Sequence, residues 1–329
     1  MQKNLAIRLF LALLMAAVLA SRVNPALAQS EWPQRTVKIV VPTAPGGSID
    51  LLARRVAVHL QQKWGQSVIV ENRAGAAMRI GTDAVAKAAP DGYTILFAHD
   101  GAMAMNAAVF KSLSYNPEKD FAPLAMMASL PLVLIVNEKL PVNNLQELVA
   151  YARANPGKLN HASGGTATLL ALELFKAHAD LDIKSVPFMG GSTTVNAVMS
   201  GTVELLIADV STAAPALQSP QVKLLGVSTL ERQKVLPDVP TFDEQGVKGY
   251  EVRTWIGAFA PAATPKAVVD RLEAGITEVM RIPEVRQSVE TAGLIALDSG
   301  AQIMRDRVSS DIKKWVTLVK ERNLQFDQN

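Results

Sequence analysis

Thr36-Val37-Lys38-Ile39-Val40-Val41-Pro42-Thr43-Ala44-Pro45-Gly46-Gly47-Ser48-Ile49-Asp50 decides the fold. It reads as a β-branched strand, a stiff turn, two glycines and then a helix from about Asp50 to Trp64. Pro42 and Pro45 end the strand, and Gly46 and Gly47 let backbone approach a ligand without a Cβ in the way. Ser48 is placed to cap the helix, whose first N–H groups lack internal partners. Such a junction is an anion seat, because free N–H groups and the positive end of the helix dipole point the same way. The plainer reading is an ordinary βα turn. A second copy of the pattern favours the seat: Leu159–Ala162 leads into Ser163-Gly164-Gly165-Thr166-Ala167-Thr168 and a helix from about Leu169 to His178. Two such junctions, far apart in sequence, suggest two lobes facing one ligand.

Outward from these junctions, strand-like runs alternate with helical patterns, the signature of α/β layers. Val68–Val70, Tyr93–Ala98, Ile183–Phe188, Val203–Ala208 and Lys223–Ser228 read as strands. Helices are expected near 82–89, after Asn143 or Asn144, after Thr264-Pro265, and after a capping box Ser299-x-x-Gln302. Leu130–Val136 is apolar throughout and suited to cross between lobes, with Glu251–Phe259 as the return. The expected division is 29–130 plus 254–329 as the first lobe and 131–253 as the second.

Residues Met1–Ala28 have the form of a cleavable secretory signal: Lys3 and Arg8, an apolar run from Leu9 to Ala20, then Ala26-Leu27-Ala28. The run is shorter than the roughly 18–20 residues that span a bilayer, and no Cys follows to carry a lipid. A periplasmic location is expected. The chain holds 33 Lys and Arg against 30 Asp and Glu, and Lys3, Arg8 and Arg22 fall in the signal; 33 less these 3 is 30, so the remainder is formally neutral. That removes the main support for a nucleic-acid partner. Zero Cys excludes disulfides, thiol catalysis and Cys-ligated zinc.

The motifs then resemble the periplasmic solute receptors of tripartite tricarboxylate transporters. Trp32-Pro33, Val40-Val41-Pro42 with Pro45-Gly46-Gly47-Ser48, Val70-Glu71-Asn72-Arg73 and Ala84–Thr94 carry the resemblance. So do Asp120–Pro123, Ala154–Asn160, Val186-Pro187-Phe188 with Gly190, and Leu236–Thr241, in an order running from about residue 32 to the C-terminus. The resemblance implies a two-lobed, hinge-bending α/β binding protein of the type II, Venus-flytrap kind, with a mixed sheet in each lobe. It implies no cofactor, a small organic anion as ligand, membrane transporter components as partners, and a monomer. It also implies that the first-lobe loop (Thr43, Ala44, Gly46, Gly47, Ser48) holds a ligand carboxylate, with further contacts from Ser163, Gly164, Thr166, Ala167, Thr168, Phe188 and Gly190. Departures fall at Thr43-Ala44, Met78-Arg79 and His99-Asp100.

Weighed by chemistry, His59 and His178 sit on helices and read as structural, and His161 as a strand residue. His99, beside Asp100 at a strand's C-terminal end, stands where ligands bind in α/β sheets. Asp50 falls in the first turn of a helix, where the dipole favours an acid. Asp209 follows a buried strand and suits contact with water or a ligand hydroxyl. Arg79 offers a planar fork and Met78 an apolar surface, which together suggest a ligand with two acidic ends, one on Gly46-Gly47 and one on Arg79, and an apolar or aromatic middle. No metal motif, Gly-x-Ser-x-Gly or nucleotide fingerprint occurs. The competing readings are a secreted hydrolase using Ser163 or Ser192, and a periplasmic sensor that presents bound ligand to a signalling protein.

Overall fold

A computed structural model describes residues 32–188 and 190–326. The expected signal segment Met1–Ala28, and Met189, lie outside the described residues. The chain divides after Arg35, and the unit from Thr36 onward carries every strand and helix of the described residues.

The quoted stretch forms β1 (Val37–Val41) and α1 (Ser48–Trp64), and Gly65 in the left-handed conformation ends the helix. Next come β2 (Val68–Asn72), α2 (Arg79–Ala86) and β3 (Thr94–His99). A π-turn over Gly101–Met105 runs into the short α3 (Asn106–Val109). β4 (Phe121–Asn137) is 17 residues long and buried at nearly every position, which explains its near-continuous apolar sequence. The middle of the chain supplies α4 (Leu145–Ala154), β5 (Asn160–Ser163), α5 (Thr166–Ala179), β6 (Lys184–Pro187), α6 (Gly191–Ser200), β7 (Leu205–Asp209), α7 (Val210–Leu217) and β8 (Val222–Val227). β9 (Arg253–Pro261), α8 (Lys266–Arg281), α9 (Pro283–Thr291), β10 (Ile295–Gly300) and α10 (Ala301–Glu321) complete it.

The sheet runs β2-β1-β3-β9-β4-β7-β5-β6, with β8 and β10 also paired to β4. β1 pairs in parallel with β2 and β3, and β5 in parallel with β6 and β7. The strands that meet β4 are all antiparallel to it. Phe121–Pro131 of β4 pairs with β9, and Leu132–Val136 pairs with β7. One long strand is thus shared by two strand groups, each opening at its parallel strands' C-terminal ends toward a helix start.

α10 closes on the first group through a buried polar contact. Trp255 Nε1 donates to Asp311 Oδ2 at 2.8 Å, and Arg307 Nε donates to the same oxygen at 2.7 Å. Apolar packing does the rest: Val40, Leu96, Phe259 and Met304 form one cluster, while Leu134, Phe175, Phe242 and Tyr250 belong to another.

Two expected caps do not form. α10 starts at Ala301 with Gly300 as its cap and no side-chain bond from Ser299; Glu273 Oε1 of α8 accepts from Ala301 N–H instead, at 2.9 Å. Thr264 makes no cap bond to α8 either, and Pro265 takes the cap position. α9 and β10 are not read from sequence: α9 buries only Val285 and Val289, and β10 only Ala296.

Candidate ligand-binding cleft

A cavity of about 360 Å³ opens where the C-terminal ends of β3, β5 and β7 meet the helix starts that follow them. Of the residues expected from sequence it brings together His99, Gly164, Thr166, Ala167, Thr168 and Asp209. Ala77, Met78, Gly101, Asn106, Gly165, Gly191, Thr194, Ala208 and Thr212 complete its lining. No Lys or Arg is among these residues, and Asp209 is the one acid among them.

The α5 wall is built from backbone. Gly165 is the cap residue and offers no side chain, so the first N–H groups of α5 lack a side-chain acceptor. Thr168, in the third helical position, accepts from Gly164 N–H at 3.0 Å and donates to Gly165 O at 3.0 Å. That hydroxyl satisfies one N–H but carries no charge, so the positive end of the helix dipole stays uncompensated. α6 likewise starts behind a glycine, Gly190, with no side-chain cap. α7 differs: Asp209 caps it, accepting from Thr212 N–H (2.8 Å), Thr212 Oγ1 (2.7 Å) and Ser211 Oγ.

The facing wall comes from β3 and the loop before α2. His99 Nδ1 accepts from Gly101 N–H at 3.0 Å, so the neutral ring carries its proton on Nε2 and is a donor there. Burial holds the His99 pKa below its ordinary value, while the Asp209 charge pulls the other way. The side chain keeps 32% of its accessible surface, so solvent moderates the lowering. Asn106 is buried, with Nδ2 donating to Ala77 O at 2.8 Å. Asp100 stands behind the lining, 1% exposed, with Oδ1 accepting from Gly101 N–H. Burial and the neighbouring Asp311 push its pKa up to about 8.

Ala76, Ala77 and Met78 have φ of 48°, 53° and 71°. Left-handed backbone costs an L-residue roughly 1–2 kcal/mol each, and such strain concentrates where a surrounding structure over-determines it.

The first-loop residues lie elsewhere. Ala44, Gly46 and Gly47 are exposed, Thr43 and Ser48 half-buried, and none lines the cavity. Ser48 makes no cap bond. Gly46 N–H donates to Asp50 Oδ2 at 2.9 Å, and Asp50 also accepts from Arg54 Nε (3.0 Å), Arg54 Nη2 (3.0 Å) and Asn72 Nδ2 (2.9 Å). Asp50 is 2% exposed. Desolvation raises its pKa, but the bonds from Arg54, Gly46 and Asn72 and the Arg54 charge outweigh it and hold the carboxyl below its usual range. The Gly46 N–H of the first junction is therefore engaged by the protein's own carboxylate. Arg79 also stands outside the lining: its guanidinium lies over the Phe110 ring at 4.1 Å, and Nε donates to Ala76 O at 3.0 Å. Phe188 and Gly190 are not in the lining either; they belong to the turn leading into α6, where Phe188 N–H donates to Ser163 O at 2.8 Å.

Ser163 is buried, its hydroxyl 3.0 Å from His161 Nδ1 and 2.7 Å from Ser185 Oγ. His161 Nε2 accepts from Ile207 N–H at 2.9 Å, and burial lowers the His161 pKa to about 3. The ring is then neutral with its proton on Nδ1, donating to Ser163. A histidine that donates to a serine cannot act as its general base. Ser192 is exposed in the first turn of α6 and has no hydrogen-bonded histidine or acid among the described residues. No group of three or more His, Cys, Asp or Glu side chains among the described residues is arranged to hold a metal ion.

Residues 52–324 match the model of the tripartite tricarboxylate transporter family receptor. The chain belongs to that family. The protein BugT of Bordetella pertussis is 31% identical over 293 residues, covering 88% of this chain and 90% of BugT. The structure of R. palustris Rpa4515 with adipate superposes with a TM-score of 0.78 at 32% identity, covering 88% of this chain and 98% of that one. MatC (Rpa3494) from Rhodopseudomonas palustris with bound malate gives a TM-score of 0.75 at 32% identity, covering 88% and 100%. The receptor thus has the two-lobed α/β fold of these periplasmic solute-binding proteins, and its family is one of receptors, not enzymes. Membership carries a periplasmic location, and no helix among the described residues is long and apolar enough to cross a membrane.

Proposed function

We propose that this receptor captures a small organic carboxylate in the cavity between β3, β5 and β7 and hands it to the membrane components of a tripartite transporter. One observation carries the reading: α5 begins, without a charged cap, in the wall of a cavity that has no Lys or Arg. An anion there is held by backbone N–H groups and the helix dipole. Thr166–Thr168 would face the carboxylate and His99 Nε2–H would donate from the opposite wall. The adipate and malate complexes of the two Rhodopseudomonas relatives support a carboxylate.

The two strand groups act as lobes, 29–130 plus 254–329 and 131–253, closing by bending along β4 and the return into β9. Met1–Ala28 is cleaved on export, and the receptor works as a monomer without chemistry of its own. Thermal unfolding against a panel of mono-, di- and tricarboxylates tests this. At ~100 times its dissociation constant a true ligand adds about 2.7 kcal/mol of stability. A panel in which no carboxylate raises the midpoint overturns the reading.

A further inference from the structure

The strained run in the cavity wall holds one large side chain. Gly75 already supplies one positive φ in this loop, yet the three residues after it are left-handed without being glycine. Every carbonyl of that run is clamped. Arg79 N–H and Arg79 Nε donate to Ala76 O at 3.1 and 3.0 Å, and Asn106 Nδ2 donates to Ala77 O at 2.8 Å. Thr82 N–H and Thr82 Oγ1 donate to Met78 O at 3.2 and 2.9 Å. The clamps hold a conformation the residues themselves disfavour.

What the conformation positions is the Met78 thioether. Met78 lines the cavity and packs against the buried cluster that includes Met103 and Ala102. A Cβ built on Gly101 would lie 2.8 Å from Met78 Cε and 2.7 Å from His99 Cε1, so the glycine is what makes room for both side chains. The same cavity is lined by the α5 start, with Ala167, and by Ala208. A thioether is polarizable and adapts to alkyl and aromatic surfaces.

We infer that Met78 is the specificity-determining residue for the body of the ligand, selecting carboxylates with an apolar alkyl or aromatic body over polyhydroxylated ones. The inference rests on the carboxylate-receptor reading. Calorimetric titration of the receptor and of its Met78→Ala and Met78→Gly variants with hexanoate, benzoate and gluconate tests it. The unmodified receptor should prefer hexanoate or benzoate to gluconate. Both variants should lose on the order of tenfold affinity for the preferred acid, the size of a lost thioether contact, with gluconate unmoved. Met78→Gly should also unfold roughly 2–4 °C above Met78→Ala, because only glycine accepts this φ freely. An unchanged ligand ranking in both variants overturns the inference and leaves the receptor reading standing. A glycine variant no more stable than the alanine variant overturns the strain argument and with it the inference. Binding of none of the three acids to the unmodified receptor, with a silent carboxylate panel, overturns both readings together.

Discussion

The two glycine junctions of this receptor have the same plan and differ in the group that closes it. In each, two glycines precede a helix, and the side chain in the third helical position turns back to accept the N–H of the first glycine: Asp50 to Gly46, Thr168 to Gly164. The difference is the charge on that side chain. A buried carboxylate, tied also to Arg54 and Asn72, cancels the positive end of α1 from inside the chain. A hydroxyl leaves the start of α5 uncancelled, and α5 is the helix that opens on the cavity. An anion seat is therefore defined less by its glycines than by whether the protein has already supplied the anion.

Exchanging that one group gives the largest expected effect. Thr168→Asp places a fixed negative charge at the α5 start. At ~4 Å a like charge costs a ligand carboxylate about 4 kcal/mol at a near-surface effective dielectric. Carboxylate affinity by calorimetry should fall at least ~100-fold, while the fold is kept, since an acid in the first turn suits a helix. Normal binding by this variant would break the comparison.

Asp50→Asn, at the other junction, should move stability and leave affinity alone. Removing the charge from a buried, four-bonded site whose Arg54 partner is half-exposed costs ~1–3 kcal/mol in urea unfolding. The pH dependence has a definite sign. The folded pKa of Asp50 is depressed below 3.8, so its stabilisation is complete above the unfolded value and is lost as pH falls through the folded one. The unmodified receptor should therefore shed stability below about pH 4, and the variant should shed less. Loss of carboxylate binding in Asp50→Asn with an intact fold would return the first junction to the ligand site.

The smallest effect belongs to Gly46→Ala. Gly46 has φ of 89° and open space where a Cβ would go. The cost is backbone strain alone, ~1 kcal/mol, with ligand affinity unchanged by titration. A tenfold weaker affinity would show that the exposed first loop reaches the ligand after all.

Much of the fold could be read locally. The strand–glycine–helix junctions, the βα alternation and the Asn144 cap, which accepts from Glu147 N–H at 2.8 Å, depend on residues within a few positions of one another. The Ser299 capping box does not form because the helix starts later, behind Gly300, where Glu273, 28 residues before Ala301, accepts the Ala301 N–H. At the cleft, His99, Asp209 and the Gly164–Thr168 loop were visible because they end strands or begin helices. Asn106, Thr194 and Thr212 were not, since each is a polar residue inside or at the start of a helix with no local signal that it faces a cavity.

The chain's order of residues by itself determined an α/β fold with two glycine-rich helix starts, because strand and helix periodicity and glycine's conformational freedom are local properties. Which start opens on the cavity was decided by tertiary structure. Asn72 reaches Asp50 from 22 residues away, and β3, β5 and β7 converge around α5 only when the sheet pairs about β4. The left-handed run through Met78 is likewise held in part from a distance, by Asn106 donating to Ala77 O from 29 residues away.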